Sequence, residues 1–141
     1  MRLVAVLLLL VAGTVVIQVL AQSALIWLAH RLPARPPAVP SALHLTTHLV
    51  PTVLILMIGH LLQVTLWALY YHLAWDGLDG FGTAFYYSLA NFTTAGAADV
   101  TPPHPQRLVG VLEAAAGMLM FGWSTALLVR AVQKADRTET P

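Results

Sequence analysis

The sequence predicts an all-α membrane protein, with three transmembrane helices and a short re-entrant helix and loop between the second and third. Two observations point there. Of the 141 residues, 58% are hydrophobic and only 9% are charged, and the mean hydropathy is +0.75. An average soluble domain carries about 25% charged residues, so this chain lacks the polar coat of a water-soluble protein and must use lipid as solvent for much of its surface. The second observation is distribution: the apolar residues fall into three runs long enough to cross a bilayer and a fourth that is too short.

The first run has no charged residue from Leu3 to Ala29, longer than the ~20 residues a helix needs to span the hydrocarbon core. Its opening Met1-Arg2 and the triplet Val19-Leu20-Ala21 also fit a signal peptide and its cleavage site. The apolar run continues past Ala21, which favours a retained N-terminal helix over residues 1–29. Gln18 and Gln22 lie four apart on one face, which turns that face toward protein rather than lipid.

Residues 30–44 contain Arg31, Arg35 and prolines 33, 36, 37 and 40. Proline removes backbone donors, so this stretch reads as a short extended cytoplasmic linker. The second crossing follows from about Leu45 to Leu73, with Thr46 or Thr47 as the cap and Pro51 near its start. The third runs from about Arg107 to Val132 and leaves a polar cytoplasmic tail over 133–141. Arg31 and Arg35 in the linker and Arg130, Lys134 and Arg137 near the end outnumber Arg2 and Arg107 on the opposite side. The positive-inside rule then puts the N-terminus outside and the C-terminus in the cytoplasm. The Leu/Ala-rich make-up suits a multi-pass protein of a bacterial inner membrane.

Several function classes drop out. A net charge of +1 gives no basic field for nucleic acid, and the absence of Cys excludes disulfides, thiol catalysis and thiolate metal sites. No nucleophile–base pair, metal-ligand cluster or phosphate loop occurs, so neither an enzyme nor a cofactor is expected. His44 and His48 are four apart at the membrane boundary, but two ligands are too few for a metal site. The length leaves room for one domain and no appended soluble sensor, and no soluble partner is indicated.

The information sits in residues 76–106. Asp76-Gly-Leu-Asp-Gly80 is a turn cluster, and Thr83 to Thr93 is apolar and aromatic but too short to cross as a helix. Such a segment between two crossings should be re-entrant, buried in protein or lining a water-filled cavity. The run Ala84-Phe-Tyr-Tyr-Ser-Leu-Ala-Asn-Phe-Thr-Thr-Ala-Gly-Ala-Ala-Asp-Val-Thr-Pro102 resembles the pore helix and selectivity filter of the potassium-channel pore-module superfamily, where the usual run is Thr-Thr-Val-Gly-Tyr-Gly-Asp. Arg107-Leu-Val-Gly-Val-Leu-Glu113, Gly117 and Phe121-Gly122-Trp-Ser-Thr-Ala126 are similar to the inner helix of that superfamily. The resemblance covers residues 45–132 and implies a pore module of outer helix, pore helix, filter and inner helix. Because a filter is a stack of backbone carbonyl rings around one axis and each chain brings one pore loop, it also implies a homotetramer in the lipid bilayer.

On this resemblance the filter is Thr94, Ala95, Gly96, Ala97 and Ala98, with Asp99, Tyr86 and Glu113 as its support. Asp99 would bond the pore helix at Tyr86 or offer a cation-attracting ring at the mouth. Thr93, Met118, Phe121, Thr125 and Val129 would line the pore, and Gly117 would act as a hinge. The match is partial. Val, Tyr and the second Gly of the usual run are replaced by Ala95, Ala97 and Ala98. A left-handed Ala98 would cost about 1 kcal/mol per chain relative to Gly, or about 4 kcal/mol over four copies. Ala97 lacks the ring that buttresses the filter in the family. The expectation is therefore a channel for monovalent cations, K+ or Na+, with weakened selectivity and no other metal. A non-conducting scaffold or assembly partner is the alternative. Among the remaining polar residues, His60 sits mid-span, where a neutral imidazole bonded to a neighbouring helix is the commoner outcome, and Gln63 and Trp67 share its face.

Overall fold

The computed structural model describes residues 1–31 and 41–137. They form helices α1 (Arg2–Arg31), α2 (Ser41–Ala74), α3 (Gly80–Phe92) and α4 (His104–Arg137). Three are long and apolar enough to cross a membrane, over Leu3–Arg31, Leu49–Ala74 and Gln106–Gln133. The protein is thus an all-α, multi-pass membrane chain with a short helix between its second and third crossings.

The start of α2 and the end of α4 differ from expectation. α2 starts at Ser41, not near Leu45, so neither Thr46 nor Thr47 is its cap, and Pro51 lies well inside the helix. The prolines of the linker stop at residue 40, and nothing after them forbids helical backbone until Pro51. α4 runs on to Arg137 because Gln133, Lys134 and Ala135 are good helix formers. The expected linker falls, over 32–40, outside the described residues, as do the side chains of His44 and His48 and the tail from 138.

α2 is the hub, packing against the other three helices, while α1 touches α2 and α4. α1 buries Leu7, Leu10, Thr14, Gln18 and Ala21, a stripe at helical spacing rich in small and polar residues. Without a hydrophobic force between helices in lipid, small residues and interhelical hydrogen bonds hold such contacts together. A Cβ on Gly13 would sit 2.8 Å from Leu66 Cδ2 and one on Gly59 3.1 Å from the Ala21 methyl, so the two helices approach closely.

The polar part of that stripe closes into a ring. Gln63 Nε2 donates to Gln18 Oε1 (3.0 Å) and Gln18 Nε2 donates to Ser124 Oγ (3.0 Å). His60 bridges the rest, with Nε2 3.1 Å from Ser124 Oγ and Nδ1 3.3 Å from Gln63 Oε1. An amide oxygen only accepts, so Nδ1 carries the hydrogen. With a neutral imidazole, Ser124 then donates to Nε2, and every bond runs the same way round. Beside the ring, Trp67 Nε1 donates to Thr14 Oγ1 (2.9 Å), and Trp123 Nε1 donates to Gln22 Oε1 (3.1 Å). Both glutamines of α1 therefore face protein.

The main core gathers Trp67, Tyr71, Ala84, Tyr87, Val109 and Ala116 with Leu7 and Leu10 of α1. The Tyr71 and Trp75 rings each meet Tyr87 edge-on, at 4.9 and 5.5 Å between centroids. At this end Gln106 Nε2 donates to the Ala74 carbonyl (3.0 Å), satisfying one of the orphan acceptors at the end of α2.

Candidate functional site: the re-entrant helix and its loop

The chain enters α3 through a tight reversal. Gly77 and Gly80 hold φ of 101° and 77°, conformations that glycine adopts without steric cost. Asp79 sits at φ −72°, ψ 68° and Gly80 N–H donates to the Leu78 carbonyl (2.7 Å), an inverse γ-turn. The helix then begins at Gly80, three residues before Thr83, whose hydroxyl donates back to the Asp79 carbonyl (2.9 Å).

Successive contacts show α3 descending between α2 and α4. Tyr87 lies by Gly110, where an added Cβ would meet the phenol oxygen at 2.8 Å. One residue on, Ser88 Oγ bonds the Val64 carbonyl (2.8 Å). At the C-terminal end the Phe92 ring stands 5.9 Å from His60 and 5.5 Å from Phe121. There the Phe92 carbonyl presses on Gly117, whose Cβ, if present, would lie 2.1 Å from that oxygen. α3 thus enters from the level of the α2–α4 ends and stops at mid-helix depth. Gly110 and Gly117, seven apart, form the notch in α4 that receives it. α4 is helical throughout, so the glycine at 117 is required by close approach to backbone.

Residues 93–103 return the chain to the start of α4. Thr93 caps α3, with its hydroxyl donating to the Leu89 carbonyl (2.7 Å). Thr94 takes the left-handed conformation at φ 62° and donates its N–H to the Asn91 carbonyl (2.8 Å), which is how many helices terminate. Gly96, at φ 77°, donates its N–H to the Ala90 carbonyl (3.0 Å), and Val100 N–H closes a turn on the Ala97 carbonyl (3.3 Å). Among the described residues Thr94 is the non-glycine with positive φ. The left-handed backbone that Ala98 would have found costly is therefore at Thr94, one position after the helix cap, because that is where the chain must reverse.

The loop residues Thr93, Thr94, Ala95, Gly96, Ala98 and Asp99 are exposed, while Ala97 packs with Val100 against the main core. Tyr86 OH donates to Asp99 Oδ1 (2.9 Å), stapling the returning loop to α3. The neighbouring carboxylate raises the Tyr86 phenol above its usual range, first through this hydrogen bond and then through its charge. The phenol donates only while protonated, so the staple holds at pH below its ionisation and is lost as pH rises through it. In an alkaline absorbance titration, Asp99→Asn should bring one phenol down in pH, and Tyr86→Phe should remove that same component. If Asp99→Asn leaves the titration unchanged, the two side chains are not paired in solution.

On α4, the buried face carries Gln106, Val109, Gly110, Glu113, Ala116, Gly117, Met120 and Ser124, and to one side of it Met118, Phe121, Thr125 and Val129 are exposed, Phe121 while still meeting the His60 and Phe92 rings. Glu113 has no exposure. Tyr71 OH donates to its Oε2 (2.7 Å), and Ser88 Oγ lies 2.5 Å from Oε1. Arg107 is turned elsewhere, its Nε donating to the Pro102 carbonyl (2.9 Å). Tyr71, Ser88 and Gly110 were not singled out in the sequence. The signals that could have found them are a lone serine within the apolar run of α3 and a glycine seven residues before Gly117. Among the described residues no group of three or more His, Cys, Asp or Glu could hold a metal ion.

A family model described as "Ion channel" matches residues 49–134. That span takes in α2 from Leu49, the whole of α3 and its loop, and α4 to Lys134, and leaves out α1. No curated protein and no solved structure matches the chain.

Proposed function

Because the chain belongs to the ion-channel family, we propose that it forms a homotetrameric, potassium-channel-like pore conducting monovalent cations, K+ or Na+. One observation carries the reading. A short helix dips between two crossings and ends at mid-depth, and the loop that leaves it, from Thr93 to Asp99, is exposed on the single chain at every residue but Ala97. Irregular backbone at that depth is tolerated only where it is covered by protein or lines water. Four copies around an axis supply both. In this arrangement the negative C-terminal end of α3 faces the axis and favours a cation there.

Thr94 to Ala98 are then the filter, with Asp99 and Tyr86 holding its outer end and Glu113 its rear. Thr93, Met118, Phe121, Thr125 and Val129 line the cavity below, a role their exposure permits. Movement of the inner helix, if it bends, is assigned to Gly117. Residues 45–132 make up the pore module, and α1 packs on its periphery, as its contacts to α2 and α4 suggest. The arginine and lysine bias supports an N-terminus outside and a C-terminus in the cytoplasm, and the Leu/Ala-rich make-up supports a bacterial inner membrane. Conduction needs no cofactor beyond the permeant ion.

The test is a bilayer recording of purified protein under a potassium–sodium gradient, with the oligomer sized in the same preparation. Cation current from a fourfold assembly is expected. A silent monomer or dimer would overturn the reading. A second reading, a non-conducting membrane scaffold, is favoured by the backbone of the loop itself. Gly96 turns its N–H back to Ala90, a folded arrangement rather than an extended ladder of carbonyls. Current through the wild-type protein would exclude it.

A further inference from the structure

Three helices meet at Glu113, and the hydrogens at that junction can be counted. α4 supplies the carboxyl, α2 supplies Tyr71, and α3 supplies Ser88; all three side chains are fully buried. Tyr71 OH donates to Oε2 at 2.7 Å. Ser88 Oγ makes two close contacts, one with Glu113 Oε1 at 2.5 Å and one with the Val64 carbonyl oxygen at 2.8 Å. A serine hydroxyl owns one hydrogen, whereas a carbonyl oxygen and an ionised carboxylate oxygen are acceptors only. If Glu113 were ionised, Ser88 could donate to one of the two oxygens. The other would face it across hydrogen-bond distance with no hydrogen between them.

A proton on Oε1 closes the count. Glu113 Oε1–H donates to Ser88 Oγ, Ser88 O–H donates to the Val64 carbonyl, and Tyr71 O–H donates to Oε2. Each of the three hydrogens then has one acceptor. The physical setting agrees, since the groups that meet Glu113 here are two neutral hydroxyls, and a carboxylate so placed within a membrane would be a costly buried charge. We propose that Glu113 is a neutral carboxylic acid that acts as a donor, and that its one-way chain through Ser88 to Val64 fixes the depth and rotation of the re-entrant helix.

This makes Glu113 a positioning residue, acting on the candidate filter through Ser88. That role rests on the pore reading above, but the proton itself is read without any current, so the two can fail separately. The chain has two glutamates, Glu113 and Glu139. Protein carrying carbon-13 in the glutamate carboxyl groups, reconstituted in lipid at neutral pH, should show the isotope-shifted infrared C=O band of a carboxylic acid. Glu113→Gln should remove this band, and Ser88→Ala should move it by taking away its acceptor. Glu113→Gln can reproduce the chain, with the amide N–H donating to Ser88 and the amide oxygen accepting from Tyr71. It should keep the yield of assembled protein within about twofold of wild type, while Glu113→Ala lowers it by about tenfold or more.

If labelled wild-type protein shows only carboxylate bands, the proton assignment is wrong, whatever the variants do. If the acid band is present but Glu113→Gln falls as far as Glu113→Ala, the donor chain does not position α3. Cation current with an ionised Glu113 would sink this inference and leave the pore reading intact.

Discussion

Replacing Gly117 with alanine is expected to unseat the re-entrant helix. The new methyl would lie 2.1 Å from the Phe92 carbonyl oxygen, 3.0 Å from its carbon and 3.2 Å from the Phe92 Cα. All three are backbone atoms, so no side chain can swing aside to make room. Overpacking typically costs about 1–3 kcal/mol and occasionally more, and a contact this short belongs at or beyond the top of that range. Alanine returns roughly 1 kcal/mol through its better helix propensity, too little to compensate. Gly110→Ala should be milder, because its nearest neighbours are the tips of Tyr87 and Asn91. Gly122→Ala meets nothing within 4 Å in the chain and should lie near wild type. Thermal unfolding in detergent micelles should rank the losses in that order. Equal midpoints for Gly117→Ala and Gly122→Ala would mean that α3 does not seat in the α4 notch.

The second large effect is expected in ion selectivity, and it tests the loop chemistry. Preference for potassium needs several carbonyl rings held where they replace the ion's water shell, whether by size or by field strength. In this loop Gly96 directs its N–H toward Ala90, and Thr94 serves as the left-handed residue that ends α3. In the proposed pore few carbonyl rings would then be available, and sodium would escape most of the dehydration penalty. Ala97 fills a half-buried place against the core with a methyl, where the family has a ring to brace the loop. Wild-type protein should therefore reverse near zero under opposed potassium and sodium, or carry very little current. Changing Ala95, Ala97 and Ala98 together to Val, Tyr and Gly restores the buttress and the permissive glycine. It should raise the potassium-to-sodium permeability ratio by about tenfold or more, equivalent to about 1.4 kcal/mol of discrimination. A wild-type reversal potential at the potassium equilibrium value would refute the argument.

What the sequence disclosed and what it hid divide along physical lines. The three crossings were legible because transfer into lipid is summed over whole runs, and no local detail can mask Leu3 to Ala29. The short helix was legible for the complementary reason, being apolar yet too short to span. Its ends, and those of α2 and α4, were set by backbone rules that tolerate several stopping points, so Ser41 and Arg137 were missed. Gln18 and Gln22 announced an interface by their spacing, but not that Ser124 and Trp123 would meet them. Glu113 stood out as a carboxylate within a span. Its partners Tyr71 and Ser88 lie 42 and 25 residues away, and only the relative depth of three helices brings them together. Thr94 is the instructive case, since its position in the filter-like run gave no hint that its backbone serves as the αL stop of α3.

The closed ring of Gln18, Gln63, His60 and Ser124 also imposes an order of construction. A chain enters the membrane from its N-terminus, so α1 and α2 reach lipid before α4 has been made. As a hairpin they can already join Gln63 to Gln18 and His60 to Gln63. The Gln18 amide hydrogen and the second nitrogen of His60 then have no partner within the hairpin, and lipid offers none. Ser124 carries both a lone pair and a hydrogen, so the arrival of one hydroxyl closes both open ends at once. Until that moment α1 is held by α2 alone, through Gln63–Gln18, the Trp67–Thr14 bond and the close approach at Gly13 and Gly59. The last helix to be synthesised is the one that closes the polar ring begun by the first two.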